Sequence, residues 1–243
     1  MKKSAFFLAV LCSGTLLLAS CNSDKAADTA ATDTDPNRMA MDSAAAGNMA
    51  GLDHASMGKG AAGESSLLAS MNGMMGQMDA LKMKGNTDHD FAHMMMEHHK
   101  GAVAMADIEL RDGKDAAMRQ LAEKIKADQQ QELGELQPIA ERLDAAPVNY
   151  KPTDPVDPFT SKMKASMAGM MQNMPQMVAD PDMNFNMLMT VHHQSAVDMA
   201  KAELAHGKDT RLKEMAQRMV DAQQKEIAAF KAWHDQNADK MKM

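Results

Sequence analysis

The fold is decided by a stretch that occurs twice, HHKGAVAMA at residues 98–106 and HHQSAVDMA at residues 192–200. The similarity extends outward from residue 66: methionine-rich segments match at an offset of 96 residues and histidine-containing segments at an offset of 94 residues. Internal similarity of this kind indicates a duplicated structural unit. The sequence therefore predicts a first unit over residues 65–143, a proline-rich linker over 144–158 and a second unit over 159–238.

Both units show the spacing of amphipathic helices, because apolar residues and histidines recur every three or four positions. The first face carries Phe91, Met94, Met95, His98, Ala102, Met105 and Glu109, and the second carries Phe185, Leu188, Met189, His192, Ala196, Met199 and Glu203. The pattern predicts hairpins at about 90–112 with 115–143 and at about 182–206 with 209–238. Two such hairpins complete an all-α four-helix bundle, with the methionine-rich stretches 66–84 and 160–178 as extra, shorter helices.

Local signals predict where the two histidine helices begin. Thr87, with Asp90 three residues later, is expected to cap the first one in the manner of a capping box. Asp180 is expected to cap the second one, with Pro181 at its first helical position.

Other signals predict where helices end and the next ones start. Gly113 and Gly207 are expected to end the histidine helices in the left-handed conformation. Asp115 and Asp209 are then expected to cap the second helix of each hairpin. Pro138 is expected to kink that helix in the first unit or end it early.

The first twenty residues have the features of an export signal, with positive charge at Lys2 and Lys3 and a short apolar core over residues 5–18. Small residues then precede Cys21, as in the bacterial lipobox, whose cysteine carries the lipid. Cys12 would leave with the signal, so the exported chain would hold no free thiol. We expect lipid anchoring in the cell envelope, facing the periplasm or at the outer-membrane surface, with metal ligands limited to His, Met, carboxylates and backbone.

Residues 21–64 are rich in small and polar residues and predict a disordered tether. The tether carries four thioethers and one imidazole, namely Met39, Met41, Met49, His54 and Met57. The run from Asp53 to Gly58 is similar to short Asp-His-x-x-Met stretches of periplasmic copper-resistance proteins. Metal contact in the tether is one interpretation of this run, and a tether without a metal role is the other.

Composition narrows the classes of function. Without Lys2 and Lys3, 24 basic residues stand against 33 acidic residues, and a net charge of −9 does not favour nucleic acid. The chain has 29 methionines but only 6 phenylalanines, so methionine must do more than fill a core, which it specifies poorly. Since the thioether is a soft ligand, the composition predicts either soft-metal capture or an adaptable apolar surface.

The histidine helices carry the candidate metal ligands, because helical spacing brings imidazoles and thioethers to one face. The predicted ligands are Met94, Met95, His98, His99 and Met105 in the first unit and Met189, His192, His193 and Met199 in the second. A mixed imidazole and thioether set suits Cu(I), whereas imidazoles alone suit Cu(II) or Zn(II).

The first unit has a further candidate at the start of its histidine helix. His89, His93 and Glu97 are spaced four apart and predict a harder nitrogen–oxygen site there. The second unit has Met183 and Met187 at the matching places, so the two halves are expected to differ in metal preference.

Several of these residues also have a purely structural interpretation. Packing is the alternative for methionines at helical spacing, here Met94, Met105, Met199 and Met215, and a hydrogen-bonded core position is the alternative for a lone histidine. The candidate acceptors that orient an imidazole are Glu109, Glu203, Glu132 and Glu226, the last two from the facing helix. His206 and His234 lack counterparts in the first unit and are interpreted as surface residues.

Motifs of known enzymes are missing or incomplete. A di-iron bundle needs two Glu-x-x-His pairs, but Glu203 to His206 has Glu109 to Asp112 as its counterpart. The zinc-protease His-Glu-x-x-His pattern and a glycine-rich phosphate loop are absent from the sequence. The sequence therefore predicts a protein that is not an enzyme, with a ferritin-like redox enzyme as a weaker alternative.

The doubled His-His-x-x-Ala-x-x-Met-Ala motif resembles that of the domain-of-unknown-function family that includes CopM-type periplasmic copper-binding proteins. The resemblance covers about residues 66–142 and 160–236, and it implies a ferritin-like four-helix bundle that binds copper through Met and His. Leu188, where the first unit has Met94, is expected to make the two sites unequal.

The leading hypothesis is a non-enzymatic copper-binding protein that buffers copper in the envelope or hands it to a copper-handling partner, in metal resistance or homeostasis. Cu(I) is favoured over Cu(II), held firmly by the histidine helices and more weakly by exposed thioethers of the methionine-rich helices. The membrane is expected to be a partner through the N-terminal lipid only. The rival hypothesis is an interaction module, with Met71, Met74, Met75 and Met78 forming an adaptable surface for a partner protein.

Overall fold

The computed structural model describes residues 65–242 of the 243-residue chain. The signal peptide, Cys21 and the tether with His54 lie outside the described residues, so lipidation and metal contact there stay predictions.

Six α-helices and a short 3₁₀ turn make up the described part of the chain. Their bounds are α1 Ser66–Ala80, α2 Thr87–Asp112, α3 Ala116–Leu143, α4 Pro158–Gln172, α5 Pro181–His206 and α6 Thr210–Gln236, followed by the 3₁₀ turn Ala238–Lys242. Residues 65–242 include no β-strand. The prediction of an all-α fold with two long hairpins and two extra methionine-rich helices is therefore confirmed.

The helices pack as two matching hairpins joined along their histidine helices. Helix α2 packs on α3, α5 packs on α6, and α2 and α5 contact each other at the centre. Helix α1 covers α2 and α4 covers α5. The two histidine helices therefore lie in the interior of the bundle, where His98, His99, His192 and His193 are shielded from water. Within residues 65–242, no helix combines the length and apolar character needed to cross a membrane.

One of the two predicted histidine-helix starts is wrong. Asp180 caps α5 by accepting from the Met183 N–H at 2.8 Å, with Pro181 at the first helical position, as predicted. Helix α2, however, is capped by Asn86, whose Oδ1 accepts from the His89 N–H at 3.1 Å. Asn86 takes this role because its amide donates to the Pro147 carbonyl at 2.7 Å, which aims Oδ1 at the helix.

Helix ends also depart from the sequence signals. Asp115 and Asp209 cap α3 and α6 as predicted, but Gly113 and Gly207 are extended, with φ of −68° and −64°, not left-handed. Glycine is required there for space, because a Cβ would overlap the carboxyl group of the glutamate four residues earlier. Helix α3 does not end at Pro138 but continues to Leu143, since its last turn is buried in the core.

Two buried aspartates tie each hairpin to the other. Asp88 at the start of α2 accepts from the Lys208 and Asp209 N–H groups at 2.7 and 2.6 Å. Asp182 at the start of α5 accepts from the Lys114 and Asp115 N–H groups at 2.8 Å each. These reciprocal contacts fix the two histidine helices side by side and so set the geometry of the centre between them.

Candidate metal centre

Four imidazoles lie where α2 and α5 meet. His98 and His99 come from α2, His192 and His193 come from α5, and all four are 0% exposed. The rings of His98 and His192 stack with their centroids 3.7 Å apart. Helical spacing predicted His98 with Met105 on one stripe of the first helix and His192 with Met199 on one stripe of the second. The packing of α2 on α5 brings His98 against His192.

Glutamates on the facing helices orient two of the rings. His99 Nε2 lies 2.7 Å from Glu132 Oε2, and His193 Nε2 lies 2.9 Å from Glu226 Oε2. Because a carboxylate can only accept, the imidazoles donate through Nε2–H, and in the neutral ring Nδ1 then carries the lone pair. Glu132 and Glu226 were predicted to act from the facing helix, and these contacts confirm it.

The Glu226 carboxylate remains charged beside its histidine. Although burial acts in the opposite direction, hydrogen bonding and charge from His193 and Lys124 lower the pKa of Glu226. Lys124 Nζ donates to Glu226 Oε1 at 2.7 Å. The ionised acceptor therefore keeps the proton of His193 on Nε2.

Of the six other ring nitrogens of these four histidines, one makes a hydrogen bond and five do not. His192 donates through Nε2 to the His98 carbonyl at 3.0 Å. Among residues 65–242, the Nδ1 atoms of all four rings and Nε2 of His98 have no hydrogen-bond partner. Leaving a buried polar atom unpaired costs about 1–3 kcal/mol each, so five such nitrogens on the two histidine helices need an explanation.

The two stacked imidazoles are neutral. Burial lowers the pKa of His98 and of His192 well below 6.5, and the neighbouring imidazoles lower both further. A proton therefore does not occupy their lone pairs at neutral pH, which is the state that a metal ion binds.

Two glutamines beside the centre were missed by sequence reasoning. Gln129 and Gln223 are 3% exposed, and within the described chain neither side-chain amide has a hydrogen-bond partner. Each lies one helical turn before the glutamate that holds a histidine, Glu132 or Glu226. The repeated Gln-x-x-Glu pattern was the available signal, because it recurs in both units at the same offset as the histidines.

The predicted methionine ligands lie in the core on the same helices. Met94 is 7% exposed, and Met95, Met105, Met189 and Met199 are 0% exposed. Helical spacing places Met95 one turn from His99 and Met189 one turn from His193. Burial of this kind fits both packing and coordination of a metal ion inside the bundle.

The methionine-rich helices do not expose a thioether cluster. Met71, Met74 and Met78 of α1 are at most 2% exposed and face the core, and Met75 is half-buried against it. The prediction that these thioethers are open to solvent is wrong, because they lie on the face of α1 that packs against α2. The surface invoked for an interaction module is therefore covered by the protein itself.

The predicted harder site is formed with a different carboxylate. His89 and His93 do lie together, but their partner is Asp144 at the end of α3. Glu97 instead accepts from Lys100 Nζ at 2.6 Å. In residues 65–242, His89, His93 and Asp144 are the one set of three His or carboxylate side chains whose ligand atoms all lie within 4.8 Å of one another.

Two other predicted roles are wrong. Glu109 and Glu203 do not orient imidazoles but lie against the turns at Gly113 and Gly207, beside Asp182 and Asp88. Burial and the neighbouring aspartate raise the pKa of Glu109 to about 8 and that of Glu203 to about 9. His206 is half-buried near Phe159, not a surface residue, because α4 begins over the end of α5.

Comparisons with known proteins give a family and similar folds. The sequence model of the family described as "Domain of unknown function (DUF305)" matches the chain twice, over residues 19–140 and 88–234. No curated protein matches the chain.

Similar solved structures include two forms of one protein and a fragment of another. "CopM in the apo form" is 23% identical, with a TM-score of 0.47 over 62% of this chain and 97% of that one. "CopM in the Cu(I)-bound form" is 24% identical, with a TM-score of 0.47 over 61% and 96%. A DUF305 fragment from Deinococcus radiodurans is 24% identical, with a TM-score of 0.46 over 62% and 96%. Scores at this level carry no argument about what this chain binds.

Proposed function

We propose, from the premise that this chain belongs to the DUF305 family, that it is a non-enzymatic copper-binding protein that holds Cu(I) between its two histidine helices. The observation that carries the proposal is the set of buried imidazoles with free Nδ1 atoms at the α2–α5 contact. A metal ion is the partner that these atoms otherwise lack, and it would offset the cost of burying them.

The ligand chemistry favours a soft or borderline ion. Neutral imidazole suits copper, zinc and iron, but thioethers select copper in its reduced form. The centre has both, because Met95 and Met189 lie one turn from His99 and His193 in the buried core. No thiolate competes for the ion, since Cys12 and Cys21 are the only cysteines of the chain and both precede the bundle.

The carboxylates support the imidazoles without becoming ligands themselves. Glu132 and Glu226 hold the Nε2–H of His99 and His193, which fixes each ring and directs its Nδ1 lone pair away from the carboxylate. A carboxylate that accepts from a metal-binding imidazole also raises the basicity of that ligand. Each glutamate–histidine pair therefore presents one oriented ring nitrogen to the metal ion.

Storage or transfer in the cell envelope is the role that fits such a centre. Export and a lipid at Cys21 would place the bundle where copper enters the cell, and an ion held by exchangeable ligands could pass to a copper-handling partner. A substrate pocket is not needed for this role, so we propose buffering or delivery of copper and no catalysis.

Removing the stacked imidazoles tests the proposal. His98→Ala together with His192→Ala should lower the Cu(I) retained by the full exported chain against a coloured Cu(I) chelator, with helicity by circular dichroism nearly unchanged. His89→Ala with His93→Ala is the matched control, because it also removes two imidazoles but leaves the centre intact. Equal Cu(I) retention by the His98/His192 variant and the unaltered chain would contradict the proposed site.

A further inference from the structure

The start of α2 holds a second group of metal-ligating side chains, separate from the buried centre. His89 Nε2 lies 3.2 Å from Asp144 Oδ1, and His93 Nε2 lies 3.3 Å from the same oxygen. The two rings are 4.3 Å apart between centroids. Three ligand atoms thus converge from two helices on one point.

Asp90 fixes the chemical state of His89. The Asp90 carboxylate accepts from the Lys84 and Gly85 N–H groups at 2.8 Å each and from the Tyr150 hydroxyl at 2.6 Å. The same carboxylate accepts from His89 Nδ1–H at 2.7 Å. In the neutral ring, Nε2 therefore carries a lone pair and points at Asp144.

This arrangement places a lone pair against a carboxylate oxygen, which is unfavourable unless a positive charge lies between them. A proton on His89 would supply that charge, and so would a metal ion bound to His89, His93 and Asp144 together. A histidine that donates through Nδ1 to a carboxylate and binds a metal through Nε2 is the usual arrangement of zinc and copper ligands in proteins.

The loop after α3 holds Asp144 in place before any ion binds. Lys84 Nζ donates to the carbonyl of Asp144. The Asn149 and Tyr150 N–H groups donate to the Gly85 carbonyl at 2.7 and 3.0 Å, and Gly85 takes a φ of +91° that glycine allows. A ligand set fixed by its surroundings binds without a large ordering cost.

The second unit shows that packing of the loop does not require the histidines. Asn184 stands where the first unit has Asp90, and its side chain accepts from the Val178 N–H and donates to the Val178 carbonyl, both at 2.8 Å. The adjoining positions are Met183 and Met187, and the place of Asp144 is taken by Ala238. The same helix start is therefore built without an imidazole or a carboxylate at the three matching positions.

We propose that His89, His93 and Asp144 form a binding site for a borderline divalent cation, Cu(II) or Zn(II). Two imidazoles and one carboxylate suit these ions and lack the thioether that selects Cu(I). The Asp144 side chain is 62% exposed and that of His93 35% exposed, so the site is open on one side to an entering ion and to water ligands. The site does not depend on the buried centre, because the two share no residue.

Titration of the full chain with Zn(II) and with Co(II), whose visible absorption reports its ligands, tests the site. His93→Ala and Asp144→Asn should each weaken binding at least about tenfold and remove the Co(II) absorption of a low-symmetry site. Neither change threatens the fold, since both side chains lie on the open side and the Asp144 carbonyl that holds Lys84 remains. His234→Ala, an imidazole far along the chain, is the control and should leave the affinity unchanged.

Two outcomes would overturn the proposal. Absence of stoichiometric Zn(II) or Co(II) binding by the unaltered chain would show that the three side chains form an imidazolium–carboxylate ion pair only. Binding that survives both substitutions would place the ion elsewhere. Cu(I) retention measured on the same samples keeps this result distinct from the proposed function, because the variants retain His98 and His192.

Discussion

The two units of the bundle are alike at their middle and different at the start of their histidine helices. In both, a buried His-His pair meets a glutamate of the facing helix, with Nε2 to Oε2 distances of 2.7 and 2.9 Å. At the helix start, the first unit has His89, His93 and Asp90, whereas the second has Met183, Met187 and Asn184. The duplicated part of the molecule therefore carries the proposed Cu(I) centre, and the part that differs carries the proposed Cu(II) or Zn(II) site.

The comparison separates groups that the fold needs from groups that it does not. Asp88 and Asp182 accept two backbone N–H groups each from the opposite unit, so both units require this carboxylate. Asp90 and Asn184 both tie the preceding loop to the helix. The second unit forms the same helix start with Met183 and Met187 at the positions of His89 and His93. The fold therefore does not require these two histidines, and binding of a ligand would explain them.

The largest expected effect is on Zn(II) binding and comes from giving the start of α2 the methionines that stand at the start of α5. His89→Met with His93→Met should abolish stoichiometric Zn(II) binding, because the carboxylate of Asp144 alone is a weak ligand for that ion. Cu(I) retention should change little, since the buried centre is untouched. Equilibrium dialysis with each ion measures both quantities on one preparation, and a loss of Cu(I) equal to that of Zn(II) would show that the two sites are not separate.

The reciprocal aspartates should contribute equally to stability. Asp88→Ala and Asp182→Ala each remove two charge-assisted hydrogen bonds and should lower the free energy of unfolding by about 3 kcal/mol. Urea denaturation measures the change. Clearly unequal losses would show that the two hairpins are not held together by equivalent contacts, despite their similar hydrogen-bond distances.

The contact of each methionine-rich helix also differs between the units. Met74 lies against Gly101, where a Cβ would come within 2.5 Å of its sulfur and 2.8 Å of its Cβ. In the second unit, Ser195 stands at this place and its hydroxyl lies 2.9 Å from that of Ser166.

Giving the first unit the serine of the second should therefore destabilise it. We expect Gly101→Ser to cost about 2 kcal/mol through overpacking. Gly76→Ala, at an exposed position of α1 with open space around its Cα, should be neutral or stabilising by less than about 1 kcal/mol. Thermal unfolding of the two variants distinguishes crowding at Gly101 from a general effect of replacing a helical glycine.

The smallest expected effect concerns the pH dependence of stability. Burial and a neighbouring aspartate raise the pKa of Glu109 to about 8 and that of Glu203 to about 9, from 4.5. The folded protein therefore holds protons that the unfolded chain releases. The stability linked to these groups is present in full below about pH 4.5 and is lost as the pH rises toward 8 and 9.

Replacing both glutamates by glutamine should flatten this decline. The paired variant keeps every histidine, so the difference in slope between pH 7 and about 8.5 reports the glutamates. Urea denaturation across that window should show a shallower fall for Glu109→Gln with Glu203→Gln than for the unaltered chain. An equal slope in both proteins would mean that the two carboxyls ionise as freely in the bundle as in the unfolded chain.

The residues that share a face of one helix were predictable from the sequence. The residues that contact each other between helices were predictable only in part. The spacing of His98 and Met105, repeated at His192 and Met199, predicted the helices and one shared stripe on each. The repeated Glu132 and Glu226 were found because they recur. Asp144 was missed because it lies 51 residues from His93 and has no repeated counterpart.

Positions where tertiary contacts override local signals were also predicted wrongly. Thr87 has a better local motif than Asn86, but the Pro147 carbonyl fixes the asparagine amide. Gly113 and Gly207 are glycines at helix ends, yet a neighbouring carboxyl, not a left-handed turn, excludes a side chain. The cap at Asn86 depends on a residue 61 positions away, which a short-range pattern does not reveal. The glycines depend on how the side chain four residues earlier folds back, which residue type alone does not reveal.

The central claim, that the buried imidazoles bind Cu(I), is tested most directly by X-ray absorption at the copper edge on the Cu(I)-loaded chain. The account predicts imidazole nitrogen together with thioether sulfur around the metal, and fewer imidazole ligands in His98→Ala with His192→Ala. A shell of sulfur alone that is the same in both proteins would contradict it, and would place the copper on methionines away from the α2–α5 contact.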